Sequence, residues 1–455
     1  MRLITRGNRG YFLPRLVWLI VLLFSTMLPA QELSSPLVLT LNKAVEIGLQ
    51  QNRDILIADQ NRVGAGAQVK EARSGAFPQI TISGQAMRYV WKPVLFMPPN
   101  TPFNPSNATR SFQIASNNAY LIGAQFSQPL YNRKVGVALS MAHIYRDYTE
   151  QAYQAAAQDI CLSVKKVFYA VLLAQKLLEA NRQGLEVVKA NLENVQSLFN
   201  HGSAAEFDLL RAEVQLANTE PLVISAENNL VLAKNALKNL LAIPLEKEIE
   251  LQGDFTFTEI PEERMQKSKQ SALTSNPIIT QLVLQESLLD RNVIVEKSNY
   301  FPNLNLIGSY QWQAQDNTYD FNEYLWVKSG NIGLQLSFPL FDGFRTSSRV
   351  QQAIVNREKI HYTRLKVEEG LQIQIQSAEL KMTEAKKRIQ GQEKNIEQAQ
   401  KAVSIAQIRF KSGVGTQLEL LDTQLAMTRA QTNYAQAIYD YLIAKSEWEY
   451  AIGQS

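Results

Sequence analysis

The chain has few of the residues that build disulfides, metal sites and hydrolytic centres. Cys161 is its only cysteine, so no intrachain disulfide can form. The three histidines, His143, His201 and His361, are widely separated, and no metal-ligand spacing, nucleophile elbow or phosphate-binding loop is present. We therefore predict no enzyme, no cofactor and no metal centre.

The chain also has no excess of positive or negative charge beyond its first thirty residues. The formal net charge is +4, and Arg2, Arg6, Arg9 and Arg15 account for the whole excess because the first acidic residue is Glu32. The rest of the chain is near neutral. This removes the compositional argument for a nucleic acid partner.

Long apolar runs are missing after the opening. The basic start, the apolar run "LVWLIVLLFSTML" and the "LPA" that follows predict a cleaved secretory signal at 1–30, with an uncleaved anchor as the alternative. No later run approaches the roughly 20 apolar residues of a spanning helix, so strands must make any membrane contact. Export without disulfides, and with no cysteine near the cleavage point to carry a lipid, suits a bacterial envelope protein.

What the chain does contain is an internal repeat. Three pairs of segments correspond: "FPQITISG" (77–84) with "FPNLNLIG" (301–308), "IGAQFSQPLYN" (122–132) with "IGLQLSFPLFD" (332–342), and "LFNHGSAAEFDLLRAEVQLA" (198–217) with "RFKSGVGTQLELLDTQLAMT" (409–428). The chain is therefore predicted to hold two copies of one unit, 31–260 and 261–455.

Each unit is predicted to contain a helix, two strands, a very long helix and a return helix. A Phe-Pro pair marks the change from the first helix to the first strand. The predicted strands, long helix and return helix are about 77–91, 119–130, 133–199 and 205–242 in the first unit, and about 301–314, 330–340, 343–411 and 417–451 in the second. Pro221 is expected to kink or interrupt the first return helix.

The strands have one apolar and one polar face. In "NLNLIGSYQWQAQ" at 303–315, Leu304 and Leu306 fall on one side and Asn303 and Asn305 on the other. Strands of about 10 residues with this alternation are typical of outer-membrane barrels, although a half-buried soluble sheet alternates in the same way. Aromatic residues near the loop ends suit an interfacial girdle. They are Tyr89, Trp91, Tyr310, Trp312, Tyr324 and Trp326.

We expect lipid at the apolar face and water at the polar face. The predicted lumen residues are Gln79, Thr81, Asn305, Ser309, Gln311 and Gln335. Four strands cannot close a barrel, and open edges are not tolerated in a bilayer. Two chains would supply eight strands around a filled interior, whereas three would supply twelve, the smallest set with a water-filled lumen. A structural coiled-coil protein that bridges envelope layers without conducting is the alternative.

The mature chain resembles the TolC-type outer-membrane efflux factor family. The resemblance is carried by the Phe-Pro strands, by "FSQPLYN" and "FPLFDG", and by the turn segments "NHGSAAEFDLLRA" and "KSGVGTQLELLDT". It implies a mixed α/β membrane protein: a homotrimer whose 12-stranded β-barrel in the outer membrane is continued by a periplasmic tunnel of long antiparallel coiled-coil helices. It also implies a periplasmic adaptor (membrane fusion) protein and an inner-membrane transporter of the RND or ABC type as partners, for export of drugs, metals or polypeptides.

Short turns join each long helix to its return helix. Gly202 and Gly413 lie where a helix end requires positive φ, and they need do no more than end a helix. The resemblance implies that these tips contact the adaptor. The tip residues are His201, Gly202, Ser203, Ala204, Ser412, Gly413, Val414, Gly415 and Thr416. Metal binding by His201 is a weaker alternative to a plain polar role.

Glu419 and Asp422 lie three residues apart on one face of the second return helix. A solvated first turn that balances the helix dipole explains them equally well. The resemblance implies that they form an acidic ring at the periplasmic entrance, with Phe410 as the entrance aromatic. Phe410 lacks a tyrosine hydroxyl and Gly415 replaces an expected arginine, so the family's closed-state hydrogen-bond network is not expected in full.

Overall fold

The computed structural model describes residues 36–454, apart from the side chains at 269–271 and 275. The predicted signal at 1–30 lies outside the described residues. Within 36–454, no helix combines the length and apolar character that crossing a membrane requires.

Helices make up most of the described chain. They are α1 (Leu41–Gln51), α2 (Arg53–Ser74), α3 (Arg133–Asn200), α4 (Glu206–Leu240), α5 (Glu262–Ser275), α6 (Pro277–Lys297), α7 (Arg345–Lys411) and α8 (Gln417–Ala451). The strands are β1 (Leu37–Leu39), β2 (Gln79–Arg88), β3 (Val94–Met97), β4 (Arg110–Gln113), β5 (Asn118–Tyr131), β6 (Ile249–Leu251), β7 (Asn303–Asp316) and β8 (Val327–Ser337).

The two units contribute two strands each to one antiparallel sheet in the order β2-β5-β7-β8. The alternation stays in register across all four strands. Thr81, Gln125, Ser309 and Asn331 form one polar cross-strand row. The neighbouring row is Ile80, Phe126, Gly308 and Ile332. Opposed residues share a face, so the sheet is polar on one side and apolar on the other.

The helix that opens each unit is divided at a buried asparagine. Asn52 separates α1 from α2 and caps the second, because its Oδ1 accepts from Asp54 N at 2.8 Å. Its Nδ2 donates to Leu240 O, 2.9 Å away at the end of α4. Asn276 does the same in the second unit, capping α6 and donating to Ala451 O at 3.2 Å. Both asparagines fasten a unit's first helices to the end of its return helix.

The long helices form two antiparallel hairpins, α3 with α4 and α7 with α8. At 1.5 Å per residue, the 68 residues of α3 extend on the order of 100 Å. The hairpins meet along α3 and α8, which are tied by Lys165 to Glu449 and by Lys166 to Glu447, both pairs at 2.7 Å. The apolar core lies near this level, around Phe168 in one cluster and around Trp448 in another.

Helix α4 runs unbroken through Pro221, so the expected interruption does not occur. The residues that follow the proline hold the helix against α3. Val223 and Ala226 are buried with Leu178 and Leu185 of α3 in one apolar cluster. Packing of these residues on α3 therefore outweighs the proline's preference to end the helix.

Candidate functional site

The polar face of the sheet carries all six predicted lumen residues. Gln79, Thr81 and Ser309 line one cavity of about 390 Å³. Asn305 lies directly opposite Gln335. Gln311 follows two positions after Ser309 and so lies on the same face.

Sequence reasoning missed two polar residues on β5. Gln125 and Ser127 line the same cavity as Gln79. The signal was present, since they are two residues apart and flank the apolar Phe126. In the lining of the cavity, Ser309 Oγ donates to Asn331 Oδ1 at 3.2 Å. The surface is uncharged and hydrogen-bonding, and it suits contact with water.

The opposite face of the sheet is apolar and uncovered. Ile82, Ile332 and Leu334 are 77%, 76% and 66% exposed. Apolar side chains at this exposure are rare as a contiguous patch on a soluble monomer.

The first tip is a tight helix-ending turn. Ser203 N donates to Leu198 O at 2.8 Å and Gly202 N donates to Phe199 O at 2.9 Å, while Gly202 has a φ of +73°. This hydrogen-bond pair ends a helix with one left-handed residue, and glycine adopts that conformation without strain. His201 Nδ1 lies 2.6 Å from Ser197 O, so its ring is held against its own helix.

The second tip repeats this turn. Gly413 has a φ of +72°, and Val414 N donates to Arg409 O at 3.1 Å. Ser412 Oγ donates to Ile408 O at 2.8 Å. Thr416 Oγ1 accepts from Glu419 N at 3.2 Å and so caps α8.

The structure brings the two tips of one chain together around a cavity of about 260 Å³. Ser203 and Ala204 from the first tip face Gly415 and Thr416 from the second across it, with Phe410 also in the lining. Four of the nine predicted tip residues therefore share one cavity, whereas the lining does not include His201, Gly202, Ser412, Gly413 and Val414.

Gln417 lines the tip cavity, and sequence reasoning did not identify it. It is 7% exposed, and in the described structure neither atom of its amide has a hydrogen-bond partner. A signal existed in the heptad spacing of Gln417, Gln424 and Gln431, which predicts one face of α8. Gln431 donates to Gln183 of α3 at 3.3 Å, so this face meets the other hairpin.

The predicted entrance residues lie beside an arginine that sequence reasoning did not anticipate. Glu419 Oε2 is 3.6 Å from Arg409 Nε, and both side chains are half exposed. Asp422 is exposed one turn further along α8. Arg409 thus places a cation at the tip although Gly415 lacks the expected one. Only the folded turn shows this, because the turn brings residue 409 back to residue 419.

The described residues contain no cluster of three or more His, Cys, Asp and Glu side chains arranged to hold a metal ion. One mixed cluster of charged side chains on the helices is an ion-pair network. Glu286 accepts from Arg364 Nε and lies beside His361 Nδ1, both at 3.1 Å. Partial burial raises the pKa of Glu286. The hydrogen bonds and charges of Arg364 and His361 together lower the pKa by more than burial raises it, so the net pKa is below its ordinary value.

Comparison with known proteins places the chain among outer-membrane channels. A family model described as "Outer membrane efflux protein" matches residues 45–242 and 269–454. Outer membrane protein TolC of Vibrio cholerae is 25% identical over 366 residues, which cover 76% of this chain and 80% of the relative. Alkaline protease secretion protein AprF of Pseudomonas aeruginosa is 24% identical over 347 residues, covering 74% of this chain and 70% of the relative.

Solved structures share the fold. The outer membrane channel CmeC of Campylobacter jejuni superposes with a TM-score of 0.74 at 19% identity, over 91% of this chain and 85% of the channel. VceC of Vibrio cholerae superposes with a TM-score of 0.72 at 17% identity, over 91% of this chain and 96% of its own. The sheet on two long hairpins is therefore the architecture of these channels.

Proposed function

The chain belongs to the outer membrane efflux protein family, and from this premise we propose that it is the outer-membrane export duct of a tripartite efflux or type I secretion system. One observation supports this most strongly. The four-stranded sheet has one polar and one apolar face in register, and it stands on hairpins on the order of 100 Å long. Such a chain has a membrane surface, a water surface and a periplasmic extension.

The duct is proposed to be a homotrimer. The sheet ends at β2 and β8, which have no further strand partner within residues 36–454. Three copies joined edge to edge would form a 12-stranded barrel in the outer membrane, without open edges in lipid. The apolar face would meet lipid and the polar face would line the lumen.

The helices support the same assembly. Phe207, Leu210 and Val214 form a stripe on α4 near the first tip, and they are 70%, 52% and 60% exposed. Their spacing puts them on one helix face. We propose that this stripe packs against a neighbouring copy, so that the hairpins of three chains form the wall of a periplasmic tunnel.

The tips are proposed to receive a periplasmic adaptor, which connects the duct to an inner-membrane transporter of the RND or ABC type. The small side chains around the tip cavity allow another helical hairpin to approach closely. Glu419, Asp422 and Phe410 would then surround the entrance near the threefold axis.

The transporter, rather than the duct, is proposed to select the cargo. One relative is named for alkaline protease secretion and another, CzcC of Cupriavidus metallidurans, for cobalt-zinc-cadmium resistance. The polar, uncharged lumen residues of this chain suit many solutes. We therefore propose passive conduction of drugs, metals or polypeptides, with no enzymatic step.

Single-channel recording in planar bilayers tests this function. We expect purified full-length protein to insert and conduct ions. Trimers that insert without conducting would overturn the duct and support a tether between envelope layers. Co-purification of native inner-membrane partners would then identify the transporter.

A further inference from the structure

A band of exposed apolar residues lies where the sheet meets the long helices. In the second unit Phe338, Leu340, Phe341 and Phe344 are between 53% and 86% exposed. Phe338 and Leu340 extend the apolar every-second-residue row of β8 beyond its end. The rings of Phe341 and Phe344 contact each other with centroids 5.5 Å apart. We call these four residues the junction patch.

The first unit repeats the arrangement. Leu130 and Tyr131 are 52% and 47% exposed at the end of β5. They directly precede Asn132, which caps α3. In the second unit the junction patch lies on both sides of Asp342 in sequence, and the carboxylate of Asp342 accepts from Thr346 N and Oγ1 at the start of α7. Each chain thus carries two such bands, both at the end of the sheet from which the long helices begin.

Phe344 is held in a conformation that its side chain disfavours. Its φ is +65° and its ψ is 12°, in the left-handed region, and its ring is 71% exposed. An aromatic residue adopts this conformation at a cost. Little burial within the chain offsets that cost, so we expect a contact outside the chain to compensate for it.

Three exposed arginines lie close in sequence to the two bands. Arg133, Arg345 and Arg349 are exposed. Arg133 lies over the ring of Phe301 at 4.1 Å. Arg345 and Arg349 are four residues apart and share a face of α7. The carboxylate of Asp342 accepts hydrogen bonds from Thr346, and the charge of Arg345 also acts on it.

We propose that the junction patch and these arginines bind anionic phospholipid in the periplasm-facing leaflet. The rings would lie at the boundary between acyl chains and headgroups, where aromatic residues are enriched. The arginines would pair with lipid phosphate, which matches the guanidinium fork. A neighbouring copy would join at the backbone edge of β8, whereas Phe338 and Leu340 continue the apolar row of that strand and would face lipid. The inference rests on the proposed function, since it requires the sheet to be inserted.

Native mass spectrometry of the purified full-length protein tests the proposal. Equimolar phosphatidylglycerol and phosphatidylethanolamine are added in detergent, and the lipids retained by the protein are counted. We expect preference for phosphatidylglycerol, and the double variant R345Q/R349Q should lower its retention by about fivefold for each arginine removed. The control R211Q/R429Q removes the same charge from the tunnel helices and should change nothing.

A second variant separates the ring from the backbone. Phe344→Gly removes the aromatic side chain and suits positive φ, so the fold should be kept or strengthened while phosphatidylglycerol retention falls. Equal retention of both lipids, or the same loss in R211Q/R429Q, would overturn the proposal. Protein that conducts in bilayers but retains both lipids equally leaves the duct intact and the lipid site refuted. Protein that neither inserts nor conducts refutes the duct itself.

Discussion

Gly415 packs directly on the backbone of Arg409. A Cβ atom at position 415 would lie 2.9 Å from Arg409 Cβ and 3.0 Å from both Arg409 C and Phe410 N. Gly415 N also donates to Arg409 O at 3.0 Å. Two of the three contacts are backbone atoms, which cannot rotate away, so the tip has no room for any side chain here. An arginine at this position would not fit this turn.

Gly415→Ala is therefore expected to loosen the second tip. Overpacking of this kind costs roughly 1–3 kcal/mol. Hydrogen exchange should show faster exchange of the amides at 412–416, with the sheet unchanged. Gly391→Ala is the matched control, because a Cβ there meets nothing within 4 Å inside α7. That variant should be neutral or more stable by about 0.5–1 kcal/mol. Unchanged tip exchange in Gly415→Ala would contradict the close packing.

Gly413 tests adaptor docking. A Cβ there meets nothing within 4 Å, but the φ of +72° strains any other residue. Gly413→Ala and Gly413→Trp carry the same backbone strain and differ only in bulk. If another hairpin approaches this tip, the tryptophan variant should abolish export in cells while the alanine variant keeps most of it. Trimer assembly, checked on native gels, should be the same in both. Equal export by the two variants would mean that Gly413 only ends a helix.

Sequence periodicity was sufficient for the features that depend on local chemistry. Alternation in residues 303–315 predicted both faces of β7, and the order of the repeated motifs predicted the family, which the family match confirms. It was not sufficient where distant groups meet. Nothing in the sequence around Asn52 predicts its hydrogen bond to Leu240 O, 188 residues away. The sequence likewise does not predict that Arg409 lies beside Glu419, because the turn brings them together. Long-range geometry decides these contacts.

Leu334 and Gln335 test the two faces of the sheet with adjacent residues. An arginine at Leu334 would lie in lipid and cost roughly 2–4 kcal/mol near the bilayer midplane, so membrane assembly should fail. Gln335→Arg adds the same charge to the polar face, which is the proposed lumen side, and should assemble, with lower cation selectivity in bilayer recordings. Equal assembly of the two variants would reverse or remove the face assignment.

Glu447 gives the helical body a pH dependence. It accepts from Lys166 of α3 at 2.7 Å and from Lys381 of α7 at 3.4 Å. Partial burial raises the pKa of Glu447, but the two lysines together lower this pKa by more than burial raises it, so the net pKa is below the ordinary value. A carboxylate whose pKa is lower in the folded protein stabilises the fold at pH values above its pKa in the unfolded chain, which is about 4.3. This stabilisation is lost as the pH falls through the pKa of the folded protein.

Glu447→Gln should therefore be less stable than wild type by about 1–2 kcal/mol at pH 7, with the gap closing below about pH 4. Chemical unfolding of detergent-solubilised protein at several pH values measures this. The control Glu46→Gln removes an exposed carboxylate that is paired with Lys43 and accepts from Gln50, and it should show a much smaller gap. A gap for Glu447→Gln that stays constant with pH would contradict the linkage.

The proposed entrance carboxylates and Arg409 should have opposite effects on cation block. If Glu419 and Asp422 converge around a threefold axis, a narrow mouth focuses their field and carboxylate oxygens favour hard cations. The variant E419Q/D422N should then weaken block by a trivalent cation added on the periplasmic side. Arg409 lies 3.6 Å from Glu419 and offsets part of that field. Arg409→Gln should therefore strengthen block.

Titration of block in planar bilayers measures both shifts, with conductance in the absence of the cation as the check that the barrel is intact. Asp208→Asn is the matched control, because it removes a carboxylate from the first tip, on the other side of the tip cavity. It should leave block nearly unchanged. Block curves that coincide for wild type, E419Q/D422N and R409Q would show that these charges are ordinary solvated residues of the tip. Equal weakening by Asp208→Asn would instead assign block to the net charge of the tips, since removal of any carboxylate there would then have the same effect.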